Sequence, residues 1–177
     1  MTVGSATERA ACVDTAFLVE GVIERETAGL LAYFMRRVSP IEDAADLLAE
    51  TFLVLWRRAD AVPQDHAAAR MWTYGVARRV LATHRRASNR RSALADRLRH
   101  ELAIQPGRID DDKIGPLDHL HTALTRLPDL DQEIVRLVHW EGLSLVEVAG
   151  VLGRRQGTIR SRYHRARKLL KRGLESA

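Results

Sequence analysis

The chain has 177 residues, a formal net charge of +5 and one cysteine, Cys12. A single cysteine excludes an internal disulfide framework and any zinc site built on several cysteines. No apolar run is long enough to span a membrane, and residues 1–14 lack the basic-then-apolar order of a signal peptide, so we expect a cytoplasmic protein without membrane insertion. Few aromatic residues, with abundant Ala, Leu and Arg, predict an all-α fold.

Charge is segregated along the chain. Residues 66–95 contain seven arginines and no acidic residue, and residues 154–177 contain nine Lys/Arg and one acidic residue. An acidic stretch precedes each of these basic clusters. Two unmixed clusters indicate two contacts with a polyanion, whereas either cluster alone is equally compatible with an ordinary solvated helix face.

The first elements are predicted from apolar spacing. Residues 1–21 show no clear periodicity and are interpreted as an N-terminal arm, while 22–38 predict a helix. Ser39 is the expected N-cap of a second helix over 40–59. Its expected buried stripe is Ala45, Leu48, Phe52 and Leu55. Another face carries Asp43, Asp46 and Glu50, which serve either solubility or docking to a basic partner.

A loop and a basic helix follow. Proline and short polar residues predict a loop over 59–66, and periodicity predicts a third helix over 67–87 with Trp72 on its apolar side. A short helical stretch follows, and Pro, Gly and three consecutive Asp then indicate a linker, where we place the domain boundary. The expected division is a first domain over 22–100, a linker over 101–116 and a second domain over 117–177.

The second domain carries a helix-turn-helix pattern. Leucines at 120, 124 and 127 form a stripe that ends at Pro128, and a second stripe, Ile134, Leu137 and Val138, ends at Gly142. Ser144 and Glu147 have capping-box spacing, with Leu143 and Val148 placed as a hydrophobic staple. They predict a helix over 145–152 that Gly153 terminates. A short turn then leads into a basic helix, as in helix-turn-helix proteins.

The basic helix divides into two arcs at 100° per residue. Ile159, Tyr163, Ala166 and Leu170 form the arc expected to face inward. The opposite arc contains Arg160, Ser161, His164, Arg165, Lys168 and Lys171. Such an arc fits the major groove of B-DNA, where Arg binds guanine bidentately. The alternatives are a solvated helix, or a membrane-surface helix, which is disfavoured because the apolar arc is needed to close the small domain.

These motifs resemble one known family. The segment from Leu127–Pro128 through GTIRSR (157–162) to His164 resembles the promoter-recognition domain of bacterial RNA polymerase sigma factors, of the extracytoplasmic-function (ECF) group. DAADLLAETFLVLWR (43–57) resembles the polymerase-docking helix of that group, and ARMWTYGVARRVLATHRR (69–86) resembles its promoter-melting segment. The resemblance covers roughly residues 22–100 and 117–174.

The resemblance implies a role for each cluster. Core RNA polymerase would be docked through Asp43, Asp46, Leu47 and Glu50. Minus-10 DNA would be held by Trp72, Arg78, Arg79, Arg85 and Arg86, with the loop over 59–70 accepting a flipped base. Trp72 is equally compatible with a core role. Minus-35 DNA would be bound by Arg154, Arg155, Thr158, Arg160, Ser161, His164, Arg165 and Lys168. The acidic linker would run through the polymerase interior, and many relatives are inhibited by an anti-sigma factor.

Four positions of this chain differ from the usual pattern of the family, and two other functions are alternatives. The family usually has Gln at position 49, Asn at 79, Asp at 83 and a small N-cap at 155, where this chain has Ala, Arg, Thr and Arg. A helix-turn-helix regulator acting without core polymerase explains 117–177 but neither the acidic stripe nor the first basic cluster. For an enzyme, no phosphate loop or nucleophile motif is present, and His119 with His121 has the wrong spacing for one helix face. We therefore expect neither a catalytic site nor a cofactor or metal.

Overall fold

The computed structural model describes residues 4–101 and 116–175, and within them every regular element is helical. The elements are α1 (Gly4–Met35), α2 (Asp43–Arg57), a 3₁₀ turn (Ala59–Ala61), α3 (His66–Glu101), α4 (Pro116–Thr125), α5 (Asp129–His139), α6 (Leu145–Leu152) and α7 (Gln156–Glu175). The predicted all-α class is confirmed for these ranges. Most of the predicted linker, with its three consecutive Asp, lies outside the described residues, as do the side chains of His119 and His121.

The chain divides into two compact units. One contains the residues up to His84 together with Val146–Gly153, and the other contains Arg85–Leu145 together with the residues from Arg154 onward. The division in the first half therefore falls inside α3. Two units agree in number with the two predicted helical domains.

The first helix begins much earlier than predicted. Residues from Gly4 onward belong to α1, so this helix begins well before its predicted start at residue 22 and includes the described part of the expected N-terminal arm over 1–21. Val19 and Val22 are fully buried in a cluster with Leu55 and Val62. This contact with other elements stabilises helix where the sequence shows little periodicity, because most helical stability in proteins comes from tertiary packing.

The second helix starts later and is rotated relative to the prediction. Its N-cap is Glu42 rather than Ser39, and the Asp43 amide donates to the Pro40 carbonyl at 3.4 Å, so 40–42 form a turn. The buried residues are Ala44, Leu47, Thr51 and Leu55, whereas Ala45 is exposed. Thr51 tolerates complete burial because its hydroxyl donates to the Leu47 carbonyl at 2.8 Å.

The third helix is capped at its start and extends far beyond the predicted end. The Asp65 carboxylate accepts a hydrogen bond from the Ala68 amide at 2.8 Å, which is N-cap geometry. Tyr74 is buried, and its ring meets the ring of Tyr33 edge-on with centroids 5.8 Å apart. The helix was expected to end near residue 87 but continues to Glu101.

The second unit is closed by α4, α5 and α7. Leu124, Leu127, Val135 and Ala166 form its buried cluster, with Leu120 and Leu170 packed against it. The predicted leucine stripe of α4 is therefore buried as expected. The cluster joins the inward arc of α7 to both preceding helices, which fixes the rotation of α7 about its own axis.

Two glycines adopt a left-handed conformation: Gly153 directly after α6, as predicted, and Gly142 three residues after the end of α5 at His139. Gly142 and Gly153 have φ values of 63° and 61°, in the left-handed region that favours glycine. After Gly142, the Leu143 amide donates to the Leu137 carbonyl at 3.0 Å. The bounds of α6, Leu145–Leu152, coincide with the prediction.

Candidate nucleic-acid interface

The basic helix α7 presents one clearly defined outer face. Ile159 and Ala166 have no exposed surface, while Tyr163 and Leu170 are half-buried. The eight side chains predicted to bind minus-35 DNA are all exposed: Arg154, Arg155, Thr158, Arg160, Ser161, His164, Arg165 and Lys168. The six of them that lie on α7 span roughly 160° of its circumference. No acidic residue occurs between Arg154 and Arg172, so the face is uniformly basic.

Ser161 has a restricted hydrogen-bonding role on this face. Its hydroxyl donates to the Thr158 carbonyl at 3.0 Å, which engages its only proton. Its lone pairs stay available as acceptors.

An aromatic contact joins α7 to α5 beside the outer face. The Tyr163 hydroxyl lies 3.2 Å from His139 Nε2, and the two rings stack with centroids 5.9 Å apart. The Arg167 guanidinium lies 5.7 Å from the Tyr163 ring centroid. These contacts orient Tyr163 sideways and leave the exposed imidazole of His164 on the outer face.

Arg162 has a structural role that the sequence did not reveal. Its guanidinium contacts the Asp131 carboxylate at 2.8 Å, and the Asp131 side chain is only 2% exposed. This charge-assisted pair ties the first turn of α5 to α7. Arg162 therefore supports the basic face without belonging to its outer arc, and no local pattern links two residues 31 positions apart.

The predicted minus-10 residues all lie on α3 but differ in exposure. Arg79, Arg85 and Arg86 are exposed, and Arg78 is half-buried. Trp72 is half-buried and packs against the cluster that contains Val19 and Leu55, so its indole contributes to the core. The core role considered for Trp72 is thus present in the structure.

A cleft in the first unit brings one of these arginines beside the end of α2. It has a volume of about 340 Å³ and is lined by Val54, Arg57, Arg58, Val76, Arg79 and Val80. A lining of three arginines and three valines suits a group that is anionic at one end and flat and apolar at the other. The predicted base-accepting loop is shorter than expected, since residues 66–70 already belong to α3.

The acidic residues of α2 fall into three environments. Asp46 and Glu50 are exposed and lie on one side of the helix. Asp43 is half-buried, with its carboxylate 3.3 Å from Nε2 of His84 on α3. Leu47, expected to contact a partner, is only 3% exposed, so in this structure its side chain packs inside the fold. Leu53, missed from the sequence, is 53% exposed one turn beyond Glu50.

The described ranges contain neither a cluster of metal ligands nor a membrane-spanning helix. Within residues 4–101 and 116–175, no group of three or more described His, Cys, Asp or Glu side chains is placed so that it could bind a metal ion. None of the helices in those ranges is long and apolar enough to cross a membrane.

Comparison with known proteins identifies the family. Residues 22–91 match Sigma-70 region 2, and residues 117–170 match Sigma-70, region 4. The ECF RNA polymerase sigma factor SigC of Mycobacterium tuberculosis (strain CDC 1551 / Oshkosh) is 34% identical over 142 residues, covering 77% of this chain and 73% of SigC. The chain belongs to the ECF sigma factors. It is an RNA polymerase sigma factor that directs promoter-specific transcription initiation.

Further relatives of this ECF sigma factor agree. SigL of Mycobacterium tuberculosis (strain ATCC 25618 / H37Rv) is 26% identical over 159 residues, covering 88% of each chain. The sigma factor RpoE from Bartonella quintana, solved in complex with the anti-sigma factor NepR, has the same fold, with a TM-score of 0.65 and 23% identity over 88% of this chain and 96% of RpoE. Because the chain contains region 2 as well as region 4, the alternative of a helix-turn-helix regulator that acts without polymerase is not favoured.

Proposed function

We propose that this sigma factor docks on core RNA polymerase through α2, holds minus-10 DNA with α3 and reads minus-35 DNA with α7. The observation that carries the proposal is the outer face of α7, where the six predicted minus-35 residues that lie on this helix are all exposed opposite a buried apolar arc. The corresponding domains are 22–100 and 117–177, joined by the linker 101–116. The factor itself supplies binding and positioning, and the polymerase supplies the chemistry.

The docking surface consists of Asp46 and Glu50, with Leu53 beside them. Two exposed carboxylates near an exposed apolar side chain suit a basic helical partner, as the resemblance implies for the largest polymerase subunit. Asp43 is a positioning residue, because its pairing with His84 connects the start of α2 to α3. Leu47 supports the surface from inside.

Charge reversal tests the docking surface. We expect Asp46→Arg combined with Glu50→Arg to abolish co-purification with core polymerase, because two attractive contacts become repulsive. Glu20→Arg with Glu24→Arg is a matched control, since both residues are exposed and have the same four-residue spacing on α1. Equal core affinity of the two double variants would refute the docking assignment.

The minus-35 proposal separates base reading from phosphate binding. Base edges are assigned to the residues on the first turns of the outer face, Arg160, Ser161, His164 and Arg165. Phosphates are assigned to Arg154 and Arg155, which precede the helix, and to Lys168, which follows the readers along it. Arg165→Ala should cost about 1–3 kcal/mol at one base position in a promoter library. Lys168→Ala should weaken all promoters equally. If Arg165→Ala instead lowers the affinity for every promoter in the library by the same factor, Arg165 contacts a phosphate and not a base.

The minus-10 proposal rests on the exposed arginines of α3 and on the cleft. Arg79 lines the cleft together with Arg57 and Arg58, so an unpaired nucleotide entering it would meet valine side chains with its base and guanidinium groups with its phosphate.

Regulation by an anti-sigma factor is proposed from similar proteins: RpoE is solved with NepR, and CnrH is solved with the cytosolic domain of CnrY.

A further inference from the structure

The cleft between the end of α2 and α3 carries three positive charges that no acidic side chain of its lining offsets. It is lined by three arginines and three valines: Val54, Arg57, Arg58, Val76, Arg79 and Val80. Asp60, two residues after Arg58, is not part of the lining. The three arginines are exposed, and none forms an ion pair with an acidic side chain in the described part of the chain. Like charges around one cleft repel one another, so a polyanionic ligand would stabilise them.

The lining repeats one sequence pattern on its two helices. On α2, Val54 precedes Arg57 by three residues, and on α3, Val76 precedes Arg79 by three residues. Residues three apart are neighbours on one face of a helix, with Cβ atoms about 5–6 Å apart. Each helix therefore presents an aliphatic side chain and a guanidinium group close enough together for one small ligand to contact both.

These features fit a nucleoside polyphosphate. Aliphatic side chains pack against the flat face of a base, and guanidinium groups bind phosphate oxygens through paired hydrogen bonds. One phosphate group carries a charge of about −1.5 to −2 at neutral pH, so three arginines are best matched by two or more phosphates. The volume of about 340 Å³ lies at the small end of ligand pockets, which span about 300–1,000 Å³. The cleft therefore suits one nucleotide and no larger ligand.

We propose that the cleft binds a free nucleoside diphosphate or triphosphate, which competes with the unpaired promoter nucleotide for the same side chains. The inference rests on the proposed function, in which the cleft accepts a nucleotide of the minus-10 element, and it adds a soluble competitor for that site. Both ligands offer a base and a phosphate group, so the same valines and arginines serve both. The affinity of the factor for minus-10 DNA then falls as the concentration of free nucleotide rises.

Calorimetric titration of ADP into the full-length factor tests the site. Adenosine and pyrophosphate should each bind about 10-fold more weakly than ADP or worse, because each keeps only one part of the contacts. Arg79→Asn should weaken ADP binding about 10- to 150-fold, the usual effect of losing a hydrogen bond to a charged group. The side chain of Arg79 is exposed, so the fold should persist, which circular dichroism checks.

Arg90→Asn is the matched control for Arg79→Asn. It removes the same charge from an exposed position of the same helix, about 16 Å further along the axis. Charges at this distance are screened at physiological salt, where the Debye length is about 8 Å, so the affinity for ADP should stay unchanged. Equal affinities of the two variants for ADP overturn the site. Pyrophosphate that binds as tightly as ADP also overturns it, since this would show a general attraction of anions to a basic surface.

Displacement of DNA from the holoenzyme tests the competition. Core polymerase with the full-length factor is bound to a labelled single-stranded oligonucleotide that carries the minus-10 element of a mapped promoter, and ADP is added. The ADP concentration that displaces half of the oligonucleotide should rise with the oligonucleotide concentration. Specific oligonucleotide binding that persists at ADP concentrations saturating the free factor overturns the competition alone. If the oligonucleotide binds no better than a scrambled one without ADP, the proposed function fails, and the competition fails with it.

Discussion

Replacing Arg162 with alanine should destabilise the unit that carries the basic helix. The Asp131 carboxylate is 2% exposed and contacts the Arg162 guanidinium at 2.8 Å. Without that partner a buried charge is left uncompensated, which costs about 3–5 kcal/mol when both groups are fully buried. Because a third of the Arg162 side chain is exposed, water can partly replace the guanidinium. We therefore expect a loss of about 2–3 kcal/mol in the free energy of unfolding.

Hydrogen exchange resolves this loss within the two-unit chain. Amides of α5 and α7 that exchange through unfolding of their unit should exchange about 30- to 150-fold faster in Arg162→Ala, by the conversion of 1.4 kcal/mol per tenfold. Amides of α1 and α2 should keep their wild-type rates, since they belong to the other unit. Global unfolding curves detect a loss of stability but do not assign it to one unit, because two units need not unfold in one transition.

A neighbouring arginine provides the control. Arg160→Ala removes the same charge from the same helix at an exposed position and should change stability by less than about 0.5 kcal/mol. Adding Asp131→Asn to Arg162→Ala should recover part of the loss, because the buried carboxylate is then neutral. Equal exchange rates in Arg160→Ala and Arg162→Ala would refute the assignment of Arg162 as a support for α7.

Two further substitutions test the fold. Gly153→Ala should lower the free energy of unfolding by about 1–2 kcal/mol, because φ is 61° at this position and alanine is strained there. No atom lies within 4 Å of the added Cβ, so the loss comes from the backbone alone. Thermal unfolding measures the loss, and an unchanged melting temperature would contradict this explanation. Leu55→Ala should cost about 2–5 kcal/mol, because Leu55 is fully buried in the cluster shared by α1 and α2; a loss below 1 kcal/mol in urea would show that this cluster does not hold the two helices together.

The sequence predicted best where local chemistry determines the structure. The bounds of α6 coincide with the prediction because Gly153 adopts a left-handed conformation that few other residues tolerate. The inward arc of α7 was also predicted, since Ile159 and Ala166 repeat at helical spacing and both are fully buried. In each case the determining residues lie within a few positions of one another.

The sequence predicted least where distant residues determine the structure. The buried stripe of α2 was misplaced because Thr51 is polar in sequence but hydrogen-bonds inside its own helix. The start of α1 was missed because Val19 is buried against residues that follow much later in the chain. The pairing of Asp131 with Arg162 was missed for the same reason. The burial of Leu47 was missed as well, since its spacing alone did not separate the inner side of α2 from the acidic side.

Mapping transcript starts tests the central claim most directly. Core polymerase is mixed with genomic fragments, with or without the factor, and the starts are mapped. We expect a discrete set of starts that requires the factor and shares two upstream elements at fixed spacing. We also expect Arg165→Ala to shift the base preference only in the element farther upstream. Specific DNA binding without factor-dependent transcript starts would contradict the role of this chain as a sigma factor.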